Sequence, residues 1–122
     1  MSIPLGVVTL AERFGGRDVT AATYAQMVRE VAQYVAPFAA EHGADLRDMH
    51  MLGTSGTVTT LAGVHLHLSR YDRRRIDGIW MNSSDVTAVI QRLLDMSYQE
   101  RADNSCISVE RADLVLAGCA IR

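Results

Sequence analysis

Residues 21–43 carry an apolar pattern that fits a long helix. Six apolar side chains recur there at intervals of three and four: Tyr24, Met27, Val28, Val31, Val35 and Phe38. This spacing puts them on one face of an α-helix, and Gly43 is a suitable stop. Pro37 lies inside the pattern and removes one backbone donor, so we expect a kink or a split there rather than an end. A chain of 122 residues is long enough for one domain with a real core, to which this face contributes.

The composition is that of an ordinary globular protein, with 48% apolar and 21% charged residues and a net charge of -2. Such a charge gives no general attraction to nucleic acid or to an anionic membrane. The sequence has no apolar run of membrane-spanning length, and its start lacks the order of a signal peptide. Cys106 and Cys119 follow no metal-ligand spacing. We therefore expect a reduced, cytoplasmic protein with neither nucleic acid nor membrane as a partner.

Two segments have the composition of strands. The stretch "SIPLGVVTLAERF" is rich in β-branched residues, which predicts a strand over about residues 5–12. Residues 45–53, "DLRDMHMLG", turn apolar toward their end, as a buried strand running into a glycine loop does. "IDGIWMN" is a candidate for a short extended segment. Because two strands do not make a self-sufficient sheet, the chain is expected to belong to something larger.

The remaining periodic segments predict helices. Residues 57–68 have an apolar face, and Ser83 or Ser84 is a candidate cap for "DVTAVIQRLLDM". "SYQE" at residues 97–100 has the spacing of a capping box. A last helix is expected from Ser108 onward. Its second half is apolar nearly all round, and a helix of that kind is normally buried.

The stretch "GTSGTVTTLAG", from residue 53 to residue 63, joins a predicted strand to a predicted helix that opens at about Thr57. Such a junction presents unpaired backbone amides and the positive end of a helix dipole, which attract phosphate. Its glycines let the backbone approach a ligand closely, and its hydroxyls add donors. It lacks the lysine of a P-loop and the glycine spacing of the dinucleotide fingerprint. A structural turn capped by Thr57 is therefore the alternative to a phosphate site.

The other polar clusters have simpler interpretations. His65 and His67 lie two apart on a predicted helix and do not easily share a metal ion, so we expect His65 to be a hydrogen-bonded core residue. Residues 70–75, "RYDRRR", are either an anion patch or a solvated connection after a helix, and we favour the connection. Residues 110–113, "ERAD", can form an ion pair within one helical turn. No catalytic set is recognisable.

Three segments in this order carry a family resemblance: "SIPLGVVTLAERF", "LGTSGTVTTLAG" and "YDRRRIDGIWMNSSDV…LLDMSYQER…SVERADLVLAGCAI". Over nearly its whole length the chain resembles the exopolyphosphatase / guanosine pentaphosphate phosphohydrolase (Ppx/GppA) family. The glycine–threonine loop combined with "ERADLVLAG" is more specific than either alone. The resemblance implies an α/β fold for residues 1–122, namely part of the ribonuclease-H-like second domain of an actin-like ATPase fold, helix-rich and with few strands.

The resemblance also implies an activity and a site. Members of the family hydrolyse terminal phosphoanhydride bonds of polyphosphate or guanosine pentaphosphate with Mg²⁺, in a cleft between two domains. The glycine–threonine loop is implied to face that cleft and to contact phosphate through Gly53, Thr54, Ser55, Gly56 and Thr57. The family's first glycine-rich loop, its catalytic glutamate and its D-I-G-G-G-S loop have no counterpart in this sequence. We therefore expect an internal piece of the second domain, inactive by itself and without identified magnesium ligands.

Two further interpretations remain open. The chain can be a small module that binds a polyanion or nucleotide through the same loop without chemistry. It can also be an interaction protein, in which a second copy covers unpaired strand edges and the apolar last helix. Self-association, and hence a homo-oligomer, is expected.

Overall fold

Seven α-helices make up the regular structure of the chain in a computed structural model that describes residues 2–122. They are α1 (Val7–Phe14), α2 (Ala21–His42), α3 (Gly56–His65), α4 (Arg73–Ile76), α5 (Ser83–Asp95), α6 (Tyr98–Asp103) and α7 (Val115–Ile121). None of the helices in this range is both long and apolar enough to cross a membrane.

Both predicted strands are wrong. The segment predicted as a strand over residues 5–12 forms α1, because its apolar residues also have helical spacing: Val7, Leu10 and Phe14 all face the core, and Leu10 is fully buried. Residues 45–53 form turns and irregular backbone, and their apolar side chains are exposed. The α/β fold that the resemblance implies is therefore represented by helices alone within residues 2–122.

The long helix predicted from the apolar spacing is confirmed as α2. Thr20 caps it by accepting a hydrogen bond from the backbone N–H of Thr23, at 3.1 Å. The helix continues through Pro37 and is not split there. Only its first half is buried, through Met27 and Val31, so the second half of α2 extends beyond the core.

Local side-chain caps fix the starts of α5 and α6. Asn82 caps α5 in a reciprocal capping box with Asp85, so the cap lies one residue before the predicted Ser83 or Ser84. The predicted capping box of Ser97 and Glu100 is confirmed at the start of α6, where each side chain accepts from the other residue's backbone N–H. Such boxes satisfy two of the amides that a helix start leaves unpaired.

The last helix lies at the centre of the core but is shorter than predicted. Residues 109–114 form turns, and Ser108 adopts a left-handed backbone conformation with φ of 71°, which ends any helix there. The regular helix α7 begins at Val115, and its residues up to Ala120 are buried, as the apolar pattern predicted. It packs against α1, α2, α3 and α5.

A single buried arginine ties together the parts that surround α7. Arg101 is 1% exposed, and its guanidinium donates to five backbone carbonyl oxygens. These belong to Arg17 (2.7 Å), Met96 (2.8 Å), Ala112 (3.3 Å), Leu93 (3.4 Å) and Gly16 (3.5 Å). Burial lowers the pKa of Arg101, while the negative charge of Asp18 opposes that effect. The loop after α1, the end of α5 and the turn before α7 are thereby joined through one side chain.

Candidate functional site

The glycine–threonine loop leads directly into α3. Ser55 is the N-cap, and its hydroxyl accepts from the backbone N–H of Val58 at 3.3 Å. The helix begins at Gly56, one residue before the predicted start, and the cap is Ser55 instead of the predicted Thr57. The carbonyl of Ser55 accepts the first helical hydrogen bond, from Thr59 N at 3.1 Å. The loop is thus held in a defined conformation by the helix that it starts.

The first turn of α3 presents free backbone donors. Within residues 2–122, the N–H groups of Gly56 and Thr57 donate to no protein acceptor. Unpaired amides at a helix start carry the positive end of the helix dipole, and together they form a site to which anions bind. Gly53, Thr54, Ser55 and Gly56 are all exposed, so a ligand can reach them.

These four residues line one groove of about 470 Å³, which we call the loop groove. Its walls are formed by Leu52, Gly53, Thr54, Ser55, Gly56, Thr59, Tyr71, Arg73, Ile76 and Asp77. Thr57, the fifth predicted site residue, does not line the groove, because its side chain packs against Gly118 of α7. Thr59 lines it instead, with its hydroxyl donating to the Gly56 carbonyl at 3.0 Å.

Close packing explains the glycine at residue 53 but not the one at residue 56. A Cβ at Gly53 would lie 2.6 Å from a methyl group of Val58, a distance that side chains do not adopt. A Cβ at Gly56 would lie 3.4 Å from Nη1 of Arg111, so a larger side chain there would displace that guanidinium. The loop therefore needs glycine for packing at residue 53, whereas a Cβ at residue 56 would be in ordinary contact with Arg111.

Arg111 is a site residue that the sequence reasoning missed. The sequence suggests only a local ion pair for its "ERAD" segment, and the structure shows no such pair within residues 2–122. The guanidinium instead lies beside Gly56, and it is exposed. Arg101 holds the neighbouring carbonyl of Ala112, which fixes the turn that carries Arg111. The only available signal was the joint occurrence of "GTSGT" and "ERADLVLAG" in the resemblance.

Positive charge exceeds negative charge around the loop. Arg73 lines the loop groove and Arg111 lies beside Gly56, whereas Asp77 is the one acidic residue in the groove lining. In the described part of the chain, neither arginine is paired with a carboxylate. An anion at the start of α3 would therefore lie beside Arg111 and next to a groove lined by Arg73, and charge-assisted hydrogen bonds from a guanidinium are strong.

Two histidines lie at the end of α3. His65 is the last residue of α3 and is half-buried, and His67 follows it in a left-handed turn with φ of 52°. Within residues 2–122, no three His, Cys, Asp or Glu side chains come together as a metal site. The loop groove offers Mg²⁺ only Asp77 as a carboxylate, together with hydroxyl groups, and this donor set does not form a magnesium site by itself.

Burial shifts the pKa of three groups that lie in the core or pack against it. Burial raises the pKa of Cys119, on α7, to about 12, and it also raises that of Cys106. Burial likewise raises the pKa of Tyr24 to about 12. Neither these thiols nor Tyr24 lines the loop groove, so they are not candidates for chemistry there.

Two solved structures share the fold of this chain. The first is the crystal structure of an Aquifex aeolicus member of the Ppx/GppA protein family, 20% identical in sequence, with a TM-score of 0.76. The second is the type II variant of the Aquifex aeolicus Ppx/GppA phosphatase, 21% identical, with a TM-score of 0.67. Each match covers 99% of this chain but only 38% and 39% of the relatives' own length.

The sequence itself agrees with this structural likeness. No curated protein matches the chain. The family model of the Ppx/GppA phosphatases, however, matches residues 1–122. The predicted resemblance is thereby confirmed, and the chain belongs to the Ppx/GppA phosphatase family.

Proposed function

We propose that this chain holds the phosphate chain of the substrate in a phosphatase that hydrolyses terminal phosphoanhydride bonds of polyphosphate or guanosine pentaphosphate. It would do so as part of the family's second domain. The chain spans 38% of the first solved relative, and we place the general base and the magnesium ligands in parts of the family's fold that this match does not cover. No turnover is expected from the 122 residues by themselves.

The observation that carries the proposal is the open start of α3. Two unpaired amides, at Gly56 and Thr57, belong to a helix start next to a groove, and Arg73 and Arg111 flank it without carboxylate partners. Phosphoryl transfer depends mainly on positioning and on stabilising the charge of the phosphoryl oxygens. Fixed amides and guanidinium groups provide both, because they need no rearrangement when the anion arrives.

Each group has a separate role in this proposal. The amides of Gly56 and Thr57 donate to one phosphate group, and Ser55 adds its hydroxyl proton, since its oxygen already accepts from Val58. Arg111 donates to the same phosphate from the side of Gly56. The Asp77 carboxylate repels a fully ionised phosphate group. It accepts a hydrogen bond from a phosphate group that carries a proton.

A second candidate function is a binding module without chemistry, acting on the same polyanions. The scarcity of groups that could act as a general base favours this function. Asp77 is the one acidic side chain that lines the loop groove, and no histidine lines it. The two candidates differ in turnover once the rest of such an enzyme is supplied. Phosphate release from polyphosphate with Mg²⁺ by the isolated chain would contradict both proposals for this segment.

Calorimetric titration with tripolyphosphate tests the proposed site. Gly56→Val pushes a side chain toward Arg111 and covers the open amides, so we expect it to abolish binding. Gly6→Val is a matched control, since Gly6 also lies at a helix start and a Cβ there meets nothing within 4 Å. Circular dichroism of both variants monitors the helices.

Three results would contradict the proposal. The first is that tripolyphosphate fails to bind at millimolar concentration. The second is that Gly56→Val and Gly6→Val lower the affinity equally. In the third, Arg111→Gln has no greater effect than Arg29→Gln, a substitution of an exposed arginine that lines no part of the loop groove.

A further inference from the structure

A second groove lies beside the loop groove. It measures about 630 Å³ and is lined by residues 68–75, which belong to the connection after α3 and to α4 itself. Tyr71 and Arg73 line both grooves, so the two adjoin each other. We call the second one the arginine groove, after Arg70, Arg73, Arg74 and Arg75 in its lining.

The arginine groove carries uncompensated positive charge. All four arginines are exposed, and in the described part of the chain none of them is paired with a carboxylate. The nearby acids are Asp72 and Asp77, which leave an excess of two positive charges over residues 70–77. The Asp72 carboxylate already accepts from Arg74 N at 3.0 Å as the cap of α4. A polyanion would therefore meet guanidinium groups that have no competing partner.

The backbone that carries these arginines is held firmly. Asp72 caps α4, and its carbonyl accepts from Arg75 N and Ile76 N at 3.1 and 3.2 Å. Ile76 is buried, and its side chain reaches the surface of α3 at Gly63. Because α4 is fixed against α3 in this way, the arginine groove keeps its position relative to the loop groove. An ordinary solvated connection would not be held in a fixed position in this way.

We propose that the arginine groove binds further phosphate groups of an inorganic polyphosphate chain whose first groups lie in the loop groove. This inference rests on the proposed function of the loop. Guanidinium groups bind phosphate oxygens in pairs, and four of them along one groove suit a ligand that repeats its charge. A nucleoside polyphosphate has the same phosphate chemistry but only a short chain, which the loop groove and Arg73 can accommodate. The arginine groove is therefore expected to distinguish long chains from short ones.

The test compares tripolyphosphate, GTP and long-chain inorganic polyphosphate by calorimetric titration. Arg70→Gln/Arg74→Gln removes two charges from the arginine groove and leaves the residues of the loop groove intact. Arg29→Gln/Arg47→Gln is the matched control, because it removes the same charge from exposed positions that line neither groove. We expect the groove variant to weaken long-chain binding about tenfold and to lower the slope of its salt dependence by roughly 1.4, which is about 0.7 for each of the two charges removed. Tripolyphosphate and GTP binding should change less than about twofold.

Several outcomes overturn the inference, and they separate it from the proposed function. If Gly56→Val abolishes tripolyphosphate binding but the unmodified protein binds long chains no better than short ones, only the arginine groove fails. The same conclusion follows if both double variants weaken long-chain binding equally. If long chains bind through the arginines and Gly56→Val has no effect, both proposals fail, because the loop then holds no phosphate. A loss of GTP affinity as large as that for polyphosphate refutes the assignment to an inorganic chain.

Discussion

Replacing Arg101 by methionine should destabilise the protein more than any other single arginine substitution. The guanidinium donates to five carbonyl oxygens, and in the described residues none of these accepts another hydrogen bond. Two of the bonds, to Leu93 and Ala112, are fully buried, and an unsatisfied buried carbonyl costs about 1–3 kcal/mol. The two shortest bonds, at 2.7 and 2.8 Å, are lost as well. Removing a buried charge offsets part of this loss, so we expect a net cost of about 4 kcal/mol.

Chemical denaturation measures this cost directly. A loss of about 4 kcal/mol corresponds to a fall in Tm of roughly 15 °C for a chain of this size. Arg92→Met is the matched control, because Arg92 is exposed and makes a single hydrogen bond, of 3.3 Å, to the Val64 carbonyl. Its cost should stay below about 1 kcal/mol. Arg101→Lys should resemble Arg101→Met, since an ammonium cannot reach acceptors on three separate segments at once.

The reasoning would be refuted if Arg101→Met and Arg92→Met unfolded at the same denaturant concentration with the same slope. The five carbonyls would then find water or other donors at little cost. A smaller slope for Arg101→Met alone would instead mean that the substituted chain retains less native packing before it unfolds.

Three further predictions concern α7, a core thiol and the exposed surface. Gly118→Ala should destabilise the protein by about 1–3 kcal/mol, because the added Cβ overlaps the Thr57 side chain, and Thr57→Ala in the same chain should restore stability in a double-mutant cycle. Burial raises the pKa of Cys119 from 9.0 to about 12, so folding favours the neutral thiol. The free energy of unfolding should therefore fall between about pH 9 and pH 12, by up to about 1.4 kcal/mol per pH unit. Cys119→Ala should flatten that decline in denaturation curves recorded over a series of pH values. Met51 and Trp80 are large apolar residues that are 84% and 73% exposed, so light scattering should detect concentration-dependent self-association. The double variant Met51→Ser/Trp80→Ser should reduce it. A monomer at all concentrations would argue against a homo-oligomer.

The sequence predicts this fold well wherever the cause is local. The apolar spacing of α2 and the capping box of Ser97 and Glu100 depend on residues within one or two helical turns, so both are confirmed. At residues 5–12 two local signals conflict, namely β-branched composition and helical spacing. The spacing prevails because α1 buries Leu10 against other helices, and no strand partner exists in the described range.

In the candidate site, too, the features that depend on neighbouring residues can be predicted and the contacts between distant parts of the chain cannot. Ser55 and Gly56 lie at the start of a helix, within two residues of the predicted start at Thr57. Two contacts are not encoded nearby: Thr57 turns toward Gly118, and Arg111 lies beside Gly56. Both join parts of the chain more than fifty residues apart, so only the packed structure reveals them. Residues 70–75 likewise acquire their relation to the loop through the burial of Ile76 on α3.

The central position of α7 has a consequence for how quickly this chain can fold. Proteins made only of helices usually fold fast, because most of their contacts join residues that are close in sequence. Here the helix over residues 115–121 makes most of its contacts with α1 and α2, which lie about a hundred residues earlier. Leu10 and Met27 therefore stay partly exposed until a large loop closes, and closing such a loop costs conformational entropy. We expect folding to be slower than the helical content suggests, with formation of the contacts of α7 as the late step.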